Sequence, residues 1–149
     1  MSQRDGDKRV RYEAIANIDI ASTSENADDV KVIKAADNVI QSGWRLKDYP
    51  TIRLDGDIPW IVTDPKLRSW NFRAHSLSML EEVLNAYNVT DDLIYLKPAL
   101  RVALDWIDQH PRDAQMVSGM AWYDMAVGMR VYRLAYIFDA ARAAGLLSN

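Results

Sequence analysis

The sequence predicts a mainly α protein built of antiparallel helical hairpins, with one short extended or hairpin stretch between the first helix and the rest. Three observations carry this. Apolar residues recur at three- and four-residue steps in four separate segments, the period of a helix face. Pro50, Pro59 and Pro65 all fall in one stretch between the first of these segments and the second, where helix cannot persist. The joints between the later segments are short, as antiparallel helical neighbours require. A length of 149 residues suits a single domain over 1–149, and 49% hydrophobic against 26% charged residues is a globular balance able to bury a core.

Residues 1–21 begin charged and turn apolar around Ile15, Ile18 and Ile20, and no element is assigned to them. A first helix is expected over 21–43. Ser22, Thr23 and Ser24 offer hydroxyl caps for its free amides, and Glu25 complements the positive end of its dipole. Val32, Ile33, Ala36, Val39 and Ile40 form its apolar stripe, and Gly43 can take the left-handed conformation that ends it. The extended segment then spans 44–69. Asp55-Gly56 suits a tight type I′ turn pairing TIRL with DIPW, the latter at a sheet edge because Pro59 has no amide to donate.

Three further helices occupy 70–145. Trp70, Ala74, Leu77, Leu80, Leu84 and Tyr87 give the second helix one continuous stripe. The third follows the potential caps Thr90, Asp91 and Asp92 and carries Leu93, Leu96, Leu100 and Ile107 on one side, up to His110-Pro111. Pro98 predicts a kink there unless it lies near the helix start. The fourth runs from about Trp122 to Ala144 and stops at Gly145. Met125, Val127, Met129, Val131, Leu134 and Ile137 make it apolar on almost every side. Such a helix lies between two layers or awaits neighbours this chain does not supply, so self-association through an exposed apolar face is expected.

Composition removes several functions. There is no cysteine, which excludes disulfides, thiolate metal sites and cysteine nucleophiles. A net charge of -3, with basic residues scattered among acids, lacks the basic surface that displaces phosphate counterions, so no nucleic-acid partner is expected. No run approaches a membrane span or a signal peptide, so no membrane partner is expected and the compartment stays open. Glycine-rich phosphate loops, GxSxG and HExxH are absent. No cofactor and no metal are expected.

Two constellations carry polar chemistry. Asn71, His75, Ser78 and Glu82 recur at helical steps opposite the leucine stripe. His75 reads either as a general base or sugar ligand, or as part of a solvated polar face, the commoner case. In AWYDMAVGMR, Tyr123 and Arg130 are seven residues apart and project from one helix face, with Asp124 near the positive dipole end and Trp122 offering a flat ring. This reads as a rim for an anionic or hydroxyl-rich ligand, or as a capped helix start with Arg130 paired to an acid. Gly128 within the helix implies close approach of a neighbouring backbone.

Taken in order, IPWIVTDPKLRSWNFRAHSLSMLEEVLNAY, DDLIYLKPALRVALDWIDQHP and AWYDMAVGMRVYRLAYIFDAAR resemble the N-terminal helical region of the heparinase II/III-like polysaccharide lyases, over about residues 58–145. SWNFRAHSL, the YL…ALDWI helix and WYDMAVGMR carry the likeness. The resemblance implies that the hairpins form part of an incomplete (α/α) toroid around a cleft. It also implies a periplasmic or extracellular setting and β-elimination on uronic-acid-containing polysaccharide, so the implied partner is an acidic polysaccharide. Substrate contacts are then expected from Trp70, Asn71, His75, Trp122, Tyr123, Asp124 and Arg130. The catalytic Asn-His pair and Tyr of those lyases match nothing here, so the catalytic residues stay unassigned and the chain alone is expected to be inactive. A non-catalytic helical interaction module is the competing reading.

Overall fold

The computed structural model describes residues 25–111 and 119–148. It is mainly helical, as the periodicity predicts, with five α-helices and no strand longer than an isolated bridge among the described residues. The expected caps at Ser22, Thr23 and Ser24 lie outside those residues. From Glu25 to Ser42 the first helix, α1, is continuous, and it ends at Gly43 with φ +84°. Its neighbours leave no alternative to glycine: a Cβ there would stand 2.7 Å from Thr51 Cγ2 and 2.9 Å from the Ile52 carbonyl oxygen.

The segment after α1 differs from the hairpin expected at Asp55-Gly56. Gly56 does not take a positive φ, so no type I′ turn forms there. The one antiparallel bridge pairs Trp44 with Ile52, through bonds of 2.6 and 2.8 Å, across a turn in which Lys47 has φ 47°. Beyond it the chain turns once over 53–56 and then runs on without helix, with Ile52, Leu54, Ile58 and Trp60 buried and Arg53, Pro59 and Ile61 exposed. An extended segment without a ladder leaves carbonyls to be satisfied elsewhere. Side chains of the helices do this. Trp70 Nε1 donates to the Pro50 oxygen at 3.0 Å, and Arg101 donates to the oxygens of Leu54 and Gly56. Trp60 in turn donates its indole N–H to Asp105 at 2.9 Å.

The predicted second helix is two. Asp64 caps a 3-10 turn over Pro65–Leu67, its carboxylate accepting from the Lys66 amide at 3.0 Å, and α2 follows over Arg68–His75. The chain then breaks. Leu77 adopts φ 60°, a left-handed conformation that costs a branched residue about 1–2 kcal/mol. A second 3-10 turn at Ser78–Leu80 leads into α3, Glu81–Thr90. Complete burial of Leu77, Met79 and Leu80 offsets that cost, since each large apolar side chain removed from water contributes about 1.5–3 kcal/mol.

Asp91 and Asp92 alone join α3 to α4, Leu93–Gln109, and Asp92 is its N-cap, accepting from the Ile94 amide at 3.1 Å. Pro98 sits inside this helix without interrupting it. The last helix, α5, spans Asp124–Ala143 and ends where Gly145, at φ 74°, turns the chain. Packing runs α1 on α3, α3 on α4, α4 on α5, and α2 on α5. Val83, Leu84, Leu96, Ala99, Val102 and Ile137 are buried at the centre. Tyr95 fastens α4 to α1 by donating to Asp37 at 2.7 Å, and burial, reinforced by that carboxylate, pushes its phenol up to about 12. No described helix is long and apolar enough to cross a membrane.

Candidate functional site

The polar tips singled out in the sequence meet around the end of α2. His75 is wholly buried there, and both its ring nitrogens are used. Trp106 Nε1 on α4 donates to Nδ1 at 3.1 Å, so Nδ1 is the acceptor and Nε2 carries the proton. Nε2 then donates to the Trp60 oxygen at 2.8 Å, and Asn71 Nδ2 donates to the same oxygen at 3.3 Å. Desolvation, with smaller contributions from His110 and Arg130, draws His75 down to about 4. It is a neutral imidazole at physiological pH. His110, 5.2 Å away between ring centroids, stacks on Trp106 and donates Nδ1–H to the Trp106 oxygen at 2.6 Å. Burial likewise lowers its proton affinity.

Arg130 enters this cluster from α5 with 2% of its surface exposed. It donates to the His75 carbonyl through Nη1 and to the Ala121 carbonyl through Nη2, both at 2.7 Å, while its guanidinium lies 3.8 Å from the centre of the Trp106 ring. One turn along, Arg133 donates to the Ser76 carbonyl at 2.8 Å and approaches Glu81 at 4.0 Å. The two arginines therefore satisfy successive carbonyls at the negative end of α2. Removing either would strand a buried acceptor, at about 1–3 kcal/mol. Burial draws Arg130 down to about 10, which leaves it charged at neutral pH.

Three expectations are corrected here. The polar side bearing Asn71, His75 and Ser78 is buried, not solvated, because the extended segment and α5 cover it. Tyr123 and Arg130 do not form one exposed rim, because Arg130 is buried. Tyr123 is the N-cap residue in extended conformation, φ -67° and ψ 130°, so helical spacing begins only at Asp124. Its ring is 42% exposed and meets Phe72 edge-on at 6.0 Å. Gly128 is the third departure: it is exposed, with nothing within 4 Å of a Cβ placed on it, so no neighbouring backbone among the described residues approaches.

A cleft of about 200 Å³ opens beside this cluster. Residues 62–65, Arg68 and Asn71 form one side, and Gly119 and Met120 form the other. The Arg68 side chain is exposed and makes no hydrogen bond or ion pair among the described residues. Trp122, 49% exposed, Tyr123 and exposed Asp124 follow directly from the Met120 side. Of the residues expected to contact substrate, Asn71 thus lines the cleft and Trp122, Tyr123 and Asp124 lie at the surface near it. Trp70, His75 and Arg130 have their polar atoms committed inside. Arg68, Trp60, Trp106 and His110 were not singled out by spacing. Recurrent Trp and His among apolar residues, each with an N–H to satisfy once buried, is the signal that points to the last three. Among the described residues no three His, Asp or Glu side chains converge as a metal site would need.

With this geometry in place, the comparison with protein families is informative. The family described as Heparinase II/III N-terminus matches residues 7–144, so nearly all of the sequence takes part. The chain belongs to that family. Neither the curated proteins nor the solved structures give a match.

Proposed function

We propose that this chain supplies the N-terminal, substrate-contacting part of an (α/α) toroid in a polysaccharide lyase that acts by β-elimination on uronic-acid-containing polysaccharide. Membership of the heparinase II/III N-terminal family supports the lyase context. The observation that carries the finer reading is Arg68: an uncommitted guanidinium lining a cleft with Asn71, Gly119 and Met120, the last two a few residues before the exposed Trp122 and Tyr123. A planar cation matches a uronate carboxylate in two parallel hydrogen bonds, and an aromatic face accepts the C–H side of a sugar ring. The role is contact and not proton transfer. His75, the one imidazole on α2, is neutral with both nitrogens bonded, so it has no free lone pair with which to remove a proton.

Titration calorimetry with glucuronate-containing oligosaccharides tests this, with neutral oligosaccharides of equal length as the control. The uronate ligand should bind more tightly than the neutral one. Arg68→Ala should weaken uronate binding by roughly tenfold, an effect that shrinks with added salt as for any exposed ion pair. No eliminated, ultraviolet-absorbing uronate product should accumulate from this chain alone. Equal affinity for charged and neutral sugars, or an inert Arg68→Ala, would overturn the reading. A second reading, a helical interaction module, is favoured by a different observation: Met125, Met129 and Val131 are all exposed on α5.

A further inference from the structure

We infer that Arg130 is a positioning residue that holds the two walls of the cleft at a fixed separation. Its two carbonyl partners belong to the two walls. His75 ends α2, the helix whose earlier turns carry Arg68 and Asn71. Ala121 directly follows Gly119 and Met120 and directly precedes Trp122 and Tyr123. One rigid guanidinium therefore spans from one wall to the other, and its flat face is clamped against Trp106 of α4, so it cannot swing to favour either side.

The local chemistry makes this residue hard to replace. The Ala121 carbonyl lies outside any helix, and Ala121 is fully buried, so neither water nor a helical amide takes over the bond. Lysine carries the same charge, but its single ammonium lacks the forked, planar donors that reach two acceptors from a fixed plane. Tyr123 N–H reaches the Met120 oxygen at only 3.4 Å, so the turn that presents the exposed rings has weak bonding of its own. Arg133 provides an internal comparison. It is on the same side of α5 and is also buried, yet the Ser76 carbonyl and Glu81 place it on the α2–α3 side.

The inference rests on the proposed function only for what the cleft holds; the fixed wall is tested without ligand. Amide hydrogen exchange read by mass spectrometry would be compared for the wild type, Arg130→Met, Arg130→Lys and Arg133→Met. In Arg130→Met, exchange over residues 119–123 should rise by roughly tenfold while α1 and α4 keep their protection, the pattern of a local opening. Arg130→Lys should fall between, and Arg133→Met should leave 119–123 at the wild-type rate. Should Arg130→Met fail to fold, the Arg130→Lys and Arg133→Met contrast decides the matter alone. A uniform rise across all helices, the same for Arg130 and Arg133 variants, would overturn the inference and leave Arg130 as ordinary core. A glucuronate-containing tetrasaccharide is then titrated against the same set. Its failure to bind the wild type defeats the proposed function, while the exchange contrast still stands or falls by itself.

Discussion

His75 shows how a side chain that titrates near neutrality is turned into a structural part. Its lone pair is occupied by the Trp106 indole and its proton by the Trp60 carbonyl, and the first of these bonds requires the neutral ring. The consequence for stability follows from its proton affinity. The folded value, about 4, lies below the ordinary 6.5, so the unfolded chain binds the extra proton between those limits. Stability from this group is complete above about pH 6.5 and is lost as pH falls toward 4. Each tenfold change in proton affinity is worth about 1.4 kcal/mol, so the loss approaches about 3 kcal/mol. His110 adds to it in the same direction. Urea unfolding at pH 7, 6 and 5 should show a falling midpoint, and His75→Asn should start lower but flatten the dependence. A wild-type midpoint that does not move over this range would show that the ring is not held neutral.

At the scale of elements, the two glycines near helix positions make opposite predictions. Gly43 has positive φ and no room for a Cβ, so Gly43→Ala should destabilise by more than about 1 kcal/mol. Gly128 lies mid-helix in open space, so Gly128→Ala should stabilise by about 1 kcal/mol and raise the thermal midpoint by about 2–4 °C. Thermal melts by circular dichroism check both signs. The same contrast explains what was legible beforehand. The limits of α4 and the ends of α1 and α5 were readable because their signals are local: the Asp92 cap, and glycine at positions 43 and 145. The break between α2 and α3 was not, because the groups that make it tolerable, Arg130 and Arg133, come from a helix more than fifty residues away. For the same reason the spacing of Asn71 and His75 identified a polar side but not its burial. What covers it, Trp60 from the extended segment and α5 from the C-terminal side, is a tertiary fact that no helical period encodes.

For the molecule as a whole, the polar residues that a sequence reading places outside are inside, and apolar residues of α5 are outside. Met125 is 60%, Met129 41% and Val131 56% exposed, with Trp122 at the helix approach. The inner side of α5 is fully used, by Ala126, Arg130, Arg133, Ile137 and Ala140. The outer face therefore contributes nothing to this core and can be changed without unfolding it. Exposed large apolar side chains clustered along one helix favour association or ligand contact. The purified chain should bind an environment-sensitive apolar dye and sediment with concentration-dependent mass. Met129→Lys combined with Val131→Lys should reduce both effects while leaving the unfolding midpoint within about 0.5 kcal/mol of wild type, as surface substitutions do. The same double variant should retain uronate binding, because Arg68 and Tyr123 lie on the α2 side of the molecule. A chain that stays monomeric at high concentration and takes up no dye would remove the interaction-module reading. Loss of sugar binding in the double variant would instead relocate the ligand from the cleft to the outer face of α5.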